Sequence, residues 1–219
     1  MIKVSKDISF VGTNIPFGLL SVDYPENKKW DMQSFMRLKS SELAGIMSRA
    51  ANYDRKEVFG ENPYYKYFKK FKKTYTVMMQ AESILLKNRS FPDINLINQV
   101  AFLTELKTYI LLGSHDADKI DGPLILFRGT EKVPFNGMGG RDVHIYPGDV
   151  SGKDNQGIIL SMIAGADNRT CISPETRRTV YFVFGVDGMD ARVIFKTLDI
   201  LEEYALTLAP DALTERMVI

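Results

Sequence analysis

Apolar residues recur at three- and four-residue steps through the first half of the chain and in short, glycine-split runs through the second. The change of period predicts helices first and strands after them. Residues Phe17 to Val22 read as a strand, and Asp31 to Ala51 carry helical spacing through Phe35, Leu38, Leu43 and Met47. Pro63 can open a helix, because the first helical N–H has no intrahelical acceptor to lose. Val77 to Lys87 reads as helical, up to the turn signal at Phe91-Pro92. Leu96, Val100, Leu103, Leu106 and Ile110 predict an amphipathic helix from Asn95 to Leu112, stopped by Gly113. Strand-length runs follow at Leu124 to Arg128, Val143 to Tyr146, Ile158 to Met162, Arg169 to Ile172 and Thr179 to Val186. Ile194, Leu198, Leu201, Ala205 and Leu208 form the apolar face of a closing helix, Met189 to Leu208. Helices, then strands, then a helix predict an α+β fold with a largely antiparallel sheet, with Leu103, Leu106, Ile110, Leu126, Val183 and Leu198 in its core.

Composition changes little in that picture. The chain has 219 residues, 45% hydrophobic and 25% charged, ordinary for a globular domain. Its single cysteine, Cys171, cannot form an intramolecular disulfide, and no apolar run approaches the ~20 residues of a spanning helix. A cytoplasmic protein with no membrane partner is the expectation. No repeat or low-complexity tract marks a linker.

Charge is less even. The net charge is +1, yet Arg55 to Lys73 holds seven basic residues against Glu57 and Glu61. Phe59, Tyr64, Tyr65, Tyr67, Phe68 and Phe71 are interleaved with them, and Tyr75 lies just beyond. Such a segment can track a phosphate backbone and stack bases, with Lys69, Lys70, Lys72 and Lys73 as the RNA contacts. It is equally a helix with Phe68 and Phe71 buried and its lysines solvated.

Familiar catalytic patterns are absent. Gly137-Met-Gly-Gly140 lacks the lysine and hydroxyl residue of a phosphate loop and reads as a turn. Two histidines, His115 and His144, and one cysteine cannot close a zinc site, so no metal and no cofactor are expected. Ser114-His115-Asp116 cannot act as a triad, since neighbours along a chain do not face one another. A loop after the long helix would expose His115-Asp116. There the imidazole could bind a ligand or relay a proton, or could simply hydrogen-bond backbone. Arg169 is either a carboxylate clamp or a surface partner of Asp167. Glu105 and Lys107 read as the polar side of the long helix.

Five short segments sharpen these readings: Gln80 to Lys87, Ile94 to Asn98, Glu105 to Lys107, Gly113 to Asp116 and Gly165 to Thr170. In that order and spacing the chain resembles freestanding relatives of the editing domain of the phenylalanyl-tRNA synthetase beta subunit. The resemblance covers about Tyr53 to Tyr204. It implies an editing-domain-like module over 53–219, with an antiparallel β-sandwich core and flanking helices. Residues 1–52 add an N-terminal strand and helix packed on the same domain.

In the synthetase that domain receives the mischarged aminoacyl end of tRNA and hydrolyses the ester. This chain departs from its pocket, because the synthetase's threonine-asparagine pair falls at Ala101-Phe102, its histidine at Gly113 and its late strand glutamate at Phe182. Freestanding relatives carry the His115-Asp116 pair and the Gly-x-Asp-x-Arg-Thr run ending at Arg169-Thr170. The resemblance therefore implies tRNA or an aminoacyl ligand as partner, and no DNA. Hydrolysis, left open, would use His115 as base with Asp116 or Arg169 orienting it. Arg169, Thr170, Glu105, Lys107, Phe102 and Phe182 would contact the ligand. A polar convergent pocket would mark an editing enzyme, a dry one lined by Phe102 and Phe182 a binding module, and a basic groove continuous with the pocket an RNA-associated protein.

Overall fold

In the computed structural model, residues 2–25, 29–87 and 89–219 are described. Two sheets share one core. The first has the order β1-β4-β7-β8-β9, from β1 (Val4–Lys6), β4 (Leu124–Arg128), β7 (Val150–Asp154), β8 (Gly157–Ser161) and β9 (Gly165–Ala166). Only β1 and β4 run parallel in it. The second is wholly antiparallel, with the order β11-β2-β10-β3 from β2 (Phe17–Asp23), β3 (Leu112–Asp116), β10 (Arg178–Phe184) and β11 (Leu213–Val218). A hairpin, β5 (Val133–Gly137) with β6 (Arg141–Ile145), turns through Gly139 and Gly140 at φ +74° and +75°. The glycine cluster is thus a turn, as its composition predicts. The fold is α+β with largely antiparallel sheets, and all six predicted core side chains are buried.

Among the described residues six α-helices surround the sheets: α1 (Met32–Met47), α2 (Arg55–Phe59), α3 (Pro63–Lys70), α4 (Thr76–Leu85), α5 (Leu96–Thr108) and α6 (Ala191–Leu208). Local chemistry starts five of them. Asp31, Asp54, Asn62, Asn95 and Asp190 each accept a first-turn N–H, and Pro63 occupies the opening of α3. α4 alone has no side-chain cap. α6 lies across β2 because Gly18 has no side chain; a Cβ there would sit 2.6 Å from Ile194 Cγ2. β2 occupies the middle of the second sheet, and α1 packs on α5 and α6.

Two of the predicted elements take another form. The long helix ends at Thr108, where Tyr109 turns left-handed at φ +57° and its carbonyl accepts the Tyr75 hydroxyl at 2.9 Å. Ile110-Leu111-Leu112 then leads into β3 rather than another helical turn, an apolar run that suits either period. Gly113 lies within that strand, not at a helix end. Arg169 to Ile172 is not a strand, because the Asp167 carboxylate accepts the N–H groups of Arg169 and Thr170 and curls the segment into a turn.

Candidate functional site

A cavity of about 140 Å³ opens between the two sheets and the start of α4. Leu111, Leu112, Leu160, Met162, Ile163 and Phe184 make most of its wall, with His115, Ser161 and Thr76 as polar members. His115 is fully buried on β3, not exposed on a loop as the sequence suggested. Strand alternation points it inward, and its ring tilts against Phe182 with centroids 5.0 Å apart.

The imidazole is locked by a short chain of hydrogen bonds. The Thr170 hydroxyl donates to Asp167 Oδ1, so the same oxygen is left to accept from His115 Nδ1–H at 2.6 Å. That fixes the proton on Nδ1 and leaves Nε2 as a bare acceptor. Nε2 is buried with no hydrogen-bond partner. A Cβ at position 113 would lie 3.5 Å from it and 3.3 Å from Phe184 Cε2, so the glycine leaves room beside the ring nitrogen. Burial first, and then the Arg169 charge, push the imidazole down to about 3, so it is neutral at physiological pH.

Other predicted site residues lie elsewhere. Asp116, the next residue on β3, faces away from the cavity; it accepts from Thr176 Oγ1 at 2.8 Å and pairs with Lys119 at 3.2 Å. It cannot orient His115. Arg169 donates to Asp154 Oδ2 at 2.7 Å and to the Lys119 carbonyl, with Asp167 alongside at 3.9 Å. Its fork is engaged by two carboxylates, so it is no free anion clamp. It lines a separate groove with Phe135, Asn136 and Gln156 and shares no cavity with His115.

Glu105 and Lys107, two residues apart, point to different sides of α5. Glu105 is buried, accepts from the Leu112 N–H at 2.9 Å and is raised to about 8 by burial. The expectation that it lies on the polar face is corrected: it faces the core. Lys107 faces solvent and pairs with Glu42 at 2.7 Å. Phe182 is core rather than lining, while Phe102 packs edge-on against Phe91. The dry wall foreseen from those two rings is built instead from Leu111, Leu160, Met162 and Phe184. Asp167 and Ser161 were missed as members. The Asp-x-x-Thr spacing of 167 and 170 signals the first, and nothing in the sequence marks Ser161.

Most rings of the basic segment belong to the core. Tyr64 stacks on Tyr75 with centroids 5.3 Å apart and donates to the Phe184 carbonyl. Tyr67 donates to Asp149 Oδ1 at 3.1 Å. Neither is a platform for bases; Tyr65, half-buried, carries Lys69 Nζ 4.4 Å above its ring. Lys69, Lys70, Lys72 and Lys73 are exposed. Lys73 borders a groove of about 270 Å³ with Arg141, Asp142, His144 and Tyr146, and Ile163 and Ala164 line both this groove and the cavity.

Fold and cavity define an α+β domain with an apolar pocket holding one buried acceptor. No family model matches the chain. Over 99 residues, 45% of this chain, it is 30% identical to the phenylalanine–tRNA ligase beta subunit of Mycoplasma genitalium. The match spans 12% of that subunit's length. A crystal structure of an N-terminal fragment of the phenylalanyl-tRNA synthetase beta subunit from Pyrococcus horikoshii aligns with a TM-score of 0.48 at 11% identity, covering 58% of this chain and 46% of the fragment. Over those 99 residues the chain is similar in sequence to a part of the synthetase beta subunit. Among the described residues no helix is long and apolar enough to cross a membrane.

Proposed function

We propose that this chain is a ligand-binding relative of the synthetase's editing domain, whose cavity takes a ring-sized group of an amino acid or aminoacyl ligand without hydrolysing it. The observation that carries the reading is the unpartnered His115 Nε2 facing an apolar cavity. A buried acceptor without a donor is costly, and a ligand hydroxyl or N–H would satisfy it. At about 140 Å³ the space is close to a cavity that holds benzene, roughly 150 Å³. Binding fits better than chemistry. An imidazole near 3 is a poor general base at neutral pH, and neither Asp116 nor Arg169 reaches it.

The test titrates L-phenylalanine and L-tyrosine into the ¹⁵N-labelled protein while following the His115 ring nitrogens and the Gly113 amide. Saturable shifts, weakened in Gly113→Ala, support the cavity; no shift with either amino acid refutes it. Hydrolysis of tyrosyl-tRNA charged on the phenylalanine tRNA should stay near background. Robust turnover lost in His115→Ala would overturn the non-catalytic part.

One observation favours a second reading, in which the ligand arrives on RNA. The groove beside the cavity carries Lys73, Arg141 and His144 and meets it at Ile163 and Ala164. Phosphates could follow that cationic edge, and affinity would then fall steeply with salt. Binding of a tRNA transcript that is undetectable at low salt would remove it.

A further inference from the structure

The cavity has a second polar end. Thr76, the first residue of α4, lines it together with His115. The first N–H groups of any α-helix lack intrahelical acceptors and carry the positive end of its dipole. In α4 no side chain supplies an acceptor, and no acidic residue stands in the first turn. The hydroxyl of Tyr75, the capping residue, is committed to the Tyr109 carbonyl. One apolar cavity thus lies against an uncapped helix end at Thr76 and holds a fully buried, unpartnered acceptor, His115 Nε2.

We propose that this cavity is a two-point site for a small hydrophobic carboxylic acid: the N-terminus of α4 receives the carboxylate, and His115 Nε2 receives one hydrogen bond from a donor on the same ligand. Leu111, Leu160, Met162 and Phe184 pack the apolar body between them. The assignment rests on the cavity being a ligand site, and it selects a free acid over an ester, because only the acid brings a charge to the helix end. Two buried carboxyl groups stand behind the cavity wall, and only one of them opposes an anion. Glu105, behind Leu112, is held neutral at pH 7 by burial. Asp149, behind Ser161, is raised by burial only to about 6 and stays charged at pH 7; it works against the anion, with the hydrogen bonds it accepts from Ser161 and Tyr67 spreading its charge. Lys73 lies in the adjoining groove on the positive side of the balance.

Calorimetric titrations of the full chain at pH 7.0 with benzamide, benzoate and 3-hydroxybenzoate test the assignment, with the Gly113 amide reporting the place of binding. Benzoate should bind about 5- to 30-fold more tightly than benzamide, as about 1–2 kcal/mol at a partly buried helix terminus corresponds to. 3-Hydroxybenzoate should bind more tightly still, a gain lost in His115→Leu. Thr76→Asp places a carboxylate at the helix end and should erase the benzoate advantage, while Thr76→Ser should keep it. If benzamide binds at Gly113 and benzoate binds no better, or if the advantage survives Thr76→Asp, the carboxylate site is wrong and the cavity reading stands. If none of the three probes binds, both fall.

Discussion

Replacing Glu105 by Gln should stabilise this protein at neutral and alkaline pH and do nothing near pH 4.5. The carboxyl is 8% exposed on α5 and accepts the Leu112 N–H where β3 begins. Burial raises it from 4.5 to about 8, so the fold holds the neutral acid while the unfolded chain ionises. Between those two values the folded state binds a proton that the unfolded state has released, and stability falls as pH rises through the window. At about 1.4 kcal/mol per pH unit, the loss reaches about 3 kcal/mol at pH 7 and about 5 kcal/mol at pH 8 as upper bounds. Glutamine keeps an acceptor for the Leu112 N–H, has nearly the same volume and does not titrate. Urea unfolding of both proteins at pH 4.5, 6, 7 and 8, with m-values held common, measures the gap directly. His115 contributes the opposite slope, because its depressed value costs stability as pH falls from 6.5 toward 3, but it is common to both proteins and cancels in the difference. A gap that does not change with pH, or a wild type more stable than the variant at pH 8, would show that Glu105 is ionised in the fold and refute the reasoning.

Gly18→Ala should cost about 1–3 kcal/mol in the same unfolding assay, since its Cβ would press on Ile194 Cγ2 at 2.6 Å; an unchanged midpoint would show that α6 does not depend on this close approach. Thr170→Val removes the acceptor for His115 Nδ1–H; ¹⁵N spectra of the ring should change from a single Nδ1–H tautomer to a mixture, and an unchanged spectrum would discard the relay. Arg169→Gln leaves the buried Asp154 and Asp167 without their shared cation; stability should fall, by less than the about 3–5 kcal/mol of a fully buried pair because Arg169 is partly exposed, and the His115 value should rise, because the Arg169 charge lowers it. If RNA binds, Lys69, Lys70, Lys72 and Lys73 changed together to Gln should flatten the log affinity against log salt slope by about 3, from ~0.7 per phosphate contact; an unchanged slope would exclude that face.

Periodicity and apolar runs revealed the elements that send apolar side chains into the core. α6 shows its apolar face in sequence because Ile194, Leu198, Leu201, Ala205 and Leu208 are buried while Val193 and Phe195 remain exposed. β2, β4, β8 and β10 appear as apolar runs because one or both of their faces enter the core. β7, Val-Ser-Gly-Lys-Asp, is largely buried yet carries little apolar signal, since Gly152 takes the place of a side chain between Leu124 and Leu160. β11 is an edge strand rich in polar residues, and such edges carry no period-two apolar code. The boundary at Tyr109 was illegible for another reason. A left-handed tyrosine is held there by a hydroxyl from Tyr75, 34 positions away, and by the Phe59 ring. Local propensity has no access to partners so distant.

The candidate site shows the same limit at the level of single side chains. The segments around 113–116 and 165–170 do meet in space, where Asp116 N donates to the Thr170 carbonyl at 2.8 Å. Within them, alternation along β3 sends His115 into the cavity and Asp116 to the far side, so neighbours in sequence become strangers in function. The turn at Asp167 divides its segment in the same way, turning Thr170 toward His115 and Arg169 toward Asp154. A polar pair in a short motif therefore names a place in the fold more reliably than a shared role. What distinguishes His115 from the rest is an unsatisfied atom in an apolar space, and that follows from Gly113, Phe184 and the Thr170 hydroxyl together.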